Sequence, residues 1–118
     1  MRNVLKGLNE TIGIRGSMVV SDDGMVIASC LGRQLDEDKV AAMASNAVMS
    51  IRRALGRQDL PNFIRFTLSA SHGKLVFTDT GIAYLVVVMD RNIDLGPTDI
   101  EIESAAMRIR SLGEMKIG

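Results

Sequence analysis

The stretch Gly16-Ser-Met-Val-Val-Ser-Asp-Asp-Gly-Met-Val-Ile-Ala28 decides how this chain is read. It holds two short β-rich runs, Ser17 to Ser21 and Met25 to Leu31, around Asp22-Asp23-Gly24. A three-residue connection with glycine in the left-handed position matches a hairpin with a glycine bulge. Both runs are apolar on successive residues, Met18-Val19-Val20 and Met25-Val26-Ile27-Ala28. Strands of that kind are usually covered on both faces, so helices are expected on both sides of the sheet.

Working outward, Val4, Leu5, Leu8 and Ile12 form one apolar stripe of a short helix over Arg2 to Ile12, with Gly13 and Gly16 at its exit. Downstream, Asp36 opens the longest helix, with Asp36, Glu37 and Asp38 where the free N–H groups favour carboxylates. Arg52, Arg53 and Arg57 lie at its other end, and Gly56 is near the stop. Val40, Ala44, Ala47, Ile51 and Leu55 form the stripe assigned to the sheet. Ala41, Ser45, Val48 and Arg52 run beside it, and Ala42, Met43 and Met49 widen the arc. That is more small apolar surface than a single contact needs.

After Pro61-Asn62, residues Phe63 to Ala70 alternate, with Ile64, Phe66, Leu68 and Ala70 on one face and Arg65, Thr67 and Ser69 on the other. Ser71-His72-Gly73 turns into a strand over Lys74 to Thr78, and Asp79-Thr80-Gly81 turns into Ile82 to Met89, the most buried strand by composition. Three strands joined by tight turns make an antiparallel meander. Thr98-Asp99-Ile100-Glu101 has capping-box spacing, Ile102, Ala105, Ala106, Ile109 and Leu112 repeat as a helix, and Gly113 is the expected stop. The order is α–β–β–α–β–β–β–α in one α+β domain spanning 1–118.

The length of 118 residues and mass of 12.8 kDa suit one domain that buries about two-thirds of its extended surface. Fourteen Lys and Arg balance fourteen Asp and Glu, and there are three Phe, one Tyr and no Trp. Without a basic excess or stacking aromatics, nucleic acid is not an expected partner. Zero net charge also gives little repulsion between copies. One cysteine, Cys30, allows neither an intrachain disulfide nor a cysteine zinc site, and one histidine, His72, allows no two-histidine metal motif. The longest apolar run, Ile82 to Met89, is too short to cross a bilayer, and residues 1–10 carry no signal-peptide core, so a cytoplasmic location without membrane insertion is expected.

Motifs that carry chemistry are missing. Gly73-Lys74 is followed by Leu75 and has no upstream phosphate-loop glycine, and no Gly-x-Gly-x-x-Gly occurs. Ser71, His72 and Asp79 read as a polar hairpin turn, since no nucleophile elbow surrounds them. Asp22 and Asp23 read as turn residues and Cys30 as a small buried hydrophobe. Met18, Met25 and Met89 read as core, leaving Met43 and Met49 as contact candidates. No catalytic, cofactor-binding or metal-binding residue is assigned, and no cofactor is expected.

The string from Gly16 to Ala28, preceded by a helix, resembles the roadblock / dynein light chain family. So do the Ala-rich helix from Asp36, the strand–turn–strand around Gly73-Lys74-Leu75, the Gly81 turn into a Val-rich strand, and Leu95-Gly96 opening the last helix. The resemblance implies a five-stranded antiparallel sheet with the central helix on one face and the terminal helices on the other. It implies a non-enzymatic protein that forms homo- or heterodimers and binds Ras-like small GTPases, as bacterial roadblock-type regulators do, or serves as an adaptor in motor and signalling complexes. It implies pairing of the central helices, here Asp36–Leu55, and of the strand after them, here Phe63–Ala70.

The residues support a homodimer independently, through small residues on a second helix face and an exposed alternating strand. The expected dimer interface is Ala41, Ser45, Val48, Arg52, Phe63, Arg65 and Thr67. The expected GTPase-binding surface is Asn46, Met49, Ser50 and Arg53. A GTPase-binding regulator that modulates hydrolysis or localisation is the leading reading. The alternative is a passive scaffold subunit without effect on turnover. A small-molecule sensor is weaker, since aromatics are few and no polar cluster converges.

Overall fold

The computed structural model describes residues 1–21, 25–32, 35–55, 65–71, 73–92 and 95–117, with backbone alone at 51, 52, 54, 55, 70, 95 and 114–117. Its elements are α1 (Arg2–Asn9), β1 (Ile14–Val20), β2 (Val26–Leu31), α2 (Glu37–Leu55), β3 (Arg65–Ala70), β4 (Gly73–Asp79), β5 (Tyr84–Met89) and α3 (Leu95–Ile117). The five strands form one antiparallel sheet in the order β2-β1-β5-β4-β3. This is the expected α+β architecture, and the Asp22–Gly24 turn lies outside the described residues.

Strand alternation divides the core in two. Val19, Val76, Leu85, Val87 and Met89 point to one face, where Leu5 and Leu8 of α1 and Ile102, Ala105, Ala106 and Ile109 of α3 cover them. Met18, Val20, Phe77, Tyr84, Val86 and Val88 point to the other, where Val40, Ala44 and Val48 of α2 pack. Every residue of β5 is buried, as its central place in the sheet requires.

Asp36 caps α2 as expected. Its Oδ1 accepts hydrogen bonds from the backbone N–H of Asp38 at 3.0 Å and of Lys39 at 3.3 Å. Asp36→Ala is expected to cost about 1 kcal/mol, since those two donors lose their acceptor. A thermal melt reads the effect, and an unchanged midpoint would show the cap to be idle.

Several boundaries differ from the sequence expectation. The first helix ends at Asn9, because Gly13, at φ 91°, and the turn bonds Thr11 N to Leu8 O and Ile14 N to Thr11 O redirect the chain, leaving Ile12 exposed. Met25 is exposed just before β2, where Ser21 holds it at both backbone groups, so it is no core residue. The last strand begins at Tyr84, since Thr80 binds the backbone of Ala83 and closes the turn. The last helix starts at Leu95, before the capping-box sequence, and runs through Gly113. Gly113 has a packing role there: an added Cβ would overlap Ile82 Cδ1, so glycine lets α3 lie close to the β4–β5 turn.

Candidate protein–protein interface

With 3.6 residues per turn, α2 places Val40, Ala44 and Val48 on its sheet-facing side and Ala42, Asn46, Met49 and Arg53 on the side directly opposite. The latter four are exposed, as are Met43 and Ser50 beside them. Met43 and Met49 are 50% and 46% exposed, so polarizable apolar surface faces outward from a helix already packed on its inner side. Ala41 and Ser45 are half-buried along one flank. Val48 differs from its expected place at a two-fold contact. It is 5% exposed and packs into its own subunit's core, which leaves Ala41 and Ser45 as the small residues on that flank. Arg52 shares the flank by helix geometry, but its side chain lies outside the described residues.

The strand expected to join the helix in an interface, β3, is the sheet's edge. Phe63 lies outside the described residues. Phe66 stacks on its cross-strand neighbour Phe77 with ring centroids 4.3 Å apart and planes 8° from parallel. Leu68 lies opposite Leu75 on the same face. The nearest strands to α2 are β1 and β2, so this β3–β4 end of the face has thinner cover. Phe66 and Leu75 are only half-buried there and Leu68 is 43% exposed. Thr67 is exposed on the opposite face.

Arg65 is committed elsewhere. Its side chain reaches over the face that carries α3, donating from Nε to Thr78 Oγ1 at 3.2 Å, from Nη2 to Glu103 Oε2 at 2.7 Å, and pairing through Nη1 with Asp99. The guanidinium therefore pins α3 to the sheet edge, and what β3 offers a partner at this position is backbone. Sequence alternation sets Arg65 on the face opposite Phe66, as found; that α3 covers this face, with carboxylate partners 34 and 38 residues downstream, is not readable from spacing.

A second surface escaped the sequence reading. Val4 of α1 and the outer side of α3, from Asp99 to Leu112, line a groove of about 810 Å³. The signal for it was the spacing of Ile100 and Met107, two turns apart on the solvent side of a helix whose core stripe was already complete. Among the described residues, no group of His, Cys, Asp and Glu side chains is placed to hold a metal ion, and no helix is long and apolar enough to cross a membrane.

The model of the Roadblock/LC7 domain matches residues 2–89, spanning α1 through β5. This chain belongs to the Roadblock/LC7 domain family. An uncharacterized protein of Methanocaldococcus jannaschii is 38% identical to this roadblock domain over 109 residues, covering 92% of this chain and 96% of its own. Two solved structures share the fold. The gliding protein MglB from Thermus thermophilus superposes with a TM-score of 0.80 at 18% identity, and an MglB described as having a tetrameric arrangement does so at 0.81 and 19%. Each comparison covers 96% of the roadblock domain and 87% of the solved chain. The family match ends at Met89, so α3 is the part of this roadblock domain beyond the shared model.

Proposed function

We propose that this roadblock domain is a non-enzymatic homodimeric regulator that holds a Ras-like small GTPase and modulates its GTP hydrolysis or its localisation. The observation that carries the reading is the two-sided character of α2. Its inner side is spent on the sheet, and its outer side still offers Met43 and Met49; on the same face of the sheet, Phe66, Leu68 and Leu75 are thinly covered. Dimerisation through Ala41, Ser45 and the β3 edge sets two such helices side by side, giving one broad surface shared by both subunits. The small-GTPase partner comes from the family resemblance, and the tetrameric MglB supports self-association in a protein of the same fold.

On this surface Met49 supplies adaptable apolar area and Arg53 a guanidinium for acidic groups of the partner, with Asn46 and Ser50 as hydrogen-bonding neighbours. The test is co-purification with small GTPases loaded with GDP or a GTP analogue, followed by GTP turnover in the complex. Met49→Asp and Arg53→Glu should each weaken binding by about 1–3 kcal/mol while dimer mass and melting temperature hold. Capture by both variants at wild-type strength would move the partner surface off α2. Binding without a change in turnover would leave the passive scaffold as the function.

A further inference from the structure

We infer that the outer side of α3 is a homotypic docking surface on which the α3 of a second copy packs antiparallel. This surface lies on the opposite side of the sheet from α2, so the inference does not depend on the α2 dimer.

The starting point is a stripe where a solvated helix should be polar. Ile102, Ala105, Ala106 and Ile109 turn α3 into the core. Diametrically opposite stand Ile100, Ser104, Met107 and Ser111, within about 60° of one another around the helix. Ile100 and Met107 are 70% and 67% exposed, and all four line the groove beside α1. Large and small residues alternate along the stripe. When an identical stripe is laid against it in the opposite direction, Ile100 meets the second copy's Ser111 and Ser104 meets its Met107, so every large side chain faces a small one.

Charge selects both the occupant and its direction. One flank of the stripe carries Glu101 and, two turns later, Arg108; the other carries Glu103 and Arg110. All four are exposed. Both flanks are acidic in the N-terminal half and basic in the C-terminal half. In an antiparallel pair, residues on like flanks face each other, so Glu101 meets Arg108 across the two-fold, twice in all. A parallel pair would set Glu against Glu and Arg against Arg. Arg65 already shares its guanidinium between Asp99 and Glu103, which leaves that acidic end with more carboxylates than guanidinium groups. Arg108 is exposed, makes no ion pair among the described residues and is available to a second copy.

The experiment is sedimentation equilibrium of the full chain over a concentration series. Met107→Glu sets a charge in the middle of the stripe without touching the core and should halve the associated mass. Glu101→Arg and Arg108→Glu should each weaken association by about tenfold or more, because like charges then face across the two-fold. The double variant should restore it, because both bridges re-form with their signs exchanged. Mass unchanged by Met107→Glu overturns the inference, and singles that weaken without rescue in the double overturn the antiparallel direction. Ser45→Arg separates this interface from the one on α2. If both exist, copies associate beyond a dimer and Ser45→Arg and Met107→Glu each cut the assembly back to dimers; if α3 alone pairs, only Met107→Glu changes the mass.

Discussion

Phe77→Ala is expected to lower the stability of the chain by about 3–5 kcal/mol, enough to remove a large share of what a domain of this size possesses. Phe77 is completely buried on the α2 face of the sheet, in the strand next to the central one. Its ring is sandwiched in the cluster of Met18, Tyr84, Val86 and Val48, and it stacks on Phe66. Truncation loses the transfer free energy of the ring, leaves a cavity between two rigid layers, and takes away the stacking partner of an edge-strand residue. Denaturant titration reads the change as a lower midpoint. Phe77→Leu should recover more than half of the loss by refilling most of the volume. A midpoint shift under about 1 kcal/mol for the alanine variant would show that this layer can collapse freely, against the packing described.

Ser45→Arg is expected to weaken self-association through α2 by about a hundredfold or more, roughly 3 kcal/mol. Ser45 is half-buried beside Ala41 on the flank of α2, where the proposed two-fold mate would approach closest. A guanidinium brought there meets its own symmetry copy in a region lined by small apolar side chains, so two like charges are desolvated together. Ser45→Ala, which keeps the size small, should leave association nearly unchanged. Light scattering measures the mass, and circular dichroism confirms that the variant remains folded. A Ser45→Arg variant as associated as the wild type would remove this flank from the interface.

The layered fold was legible because two independent periodicities agree. The doubly apolar runs Met18–Val20 and Met25–Ala28 called for cover on both sides, and three amphipathic helices stood ready to supply it. Ends were less legible. Ile12 fits the stripe of α1 by spacing, yet the positive φ of Gly13 and two turn bonds take it out of the helix. Gly113 reads as a stop by composition, yet it is a packing residue under Ile82. On α2, spacing alone could not rank two adjacent stripes of similar residues, so Val48 was assigned to the wrong side of the divide between core and flank. The outer surface of that helix was legible as an excess of apolar residues. The partners of Arg65 were not, since they depend on how far α3 leans over the sheet edge.

The strand order β2-β1-β5-β4-β3 also sets the timetable of folding. The neighbours of β5 are β1 on one side and β4 on the other, so Val19 pairs with Leu85 and Thr78 also pairs with Leu85. Two local hairpins, β1–β2 and β3–β4, can form early from nearby residues, but nothing joins them until the last strand is present. During synthesis, the first hairpin emerges from the ribosome with one apolar edge open and keeps it open while α2, β3 and β4 are made. Chain collapse into the complete sheet therefore waits for the stretch Tyr84–Met89, the most hydrophobic strand of all. Until it arrives, the nascent chain presents the unpaired inner edges of β1 and β4 to its surroundings, which makes this interval the window for chaperone capture and for misassembly with a second nascent copy.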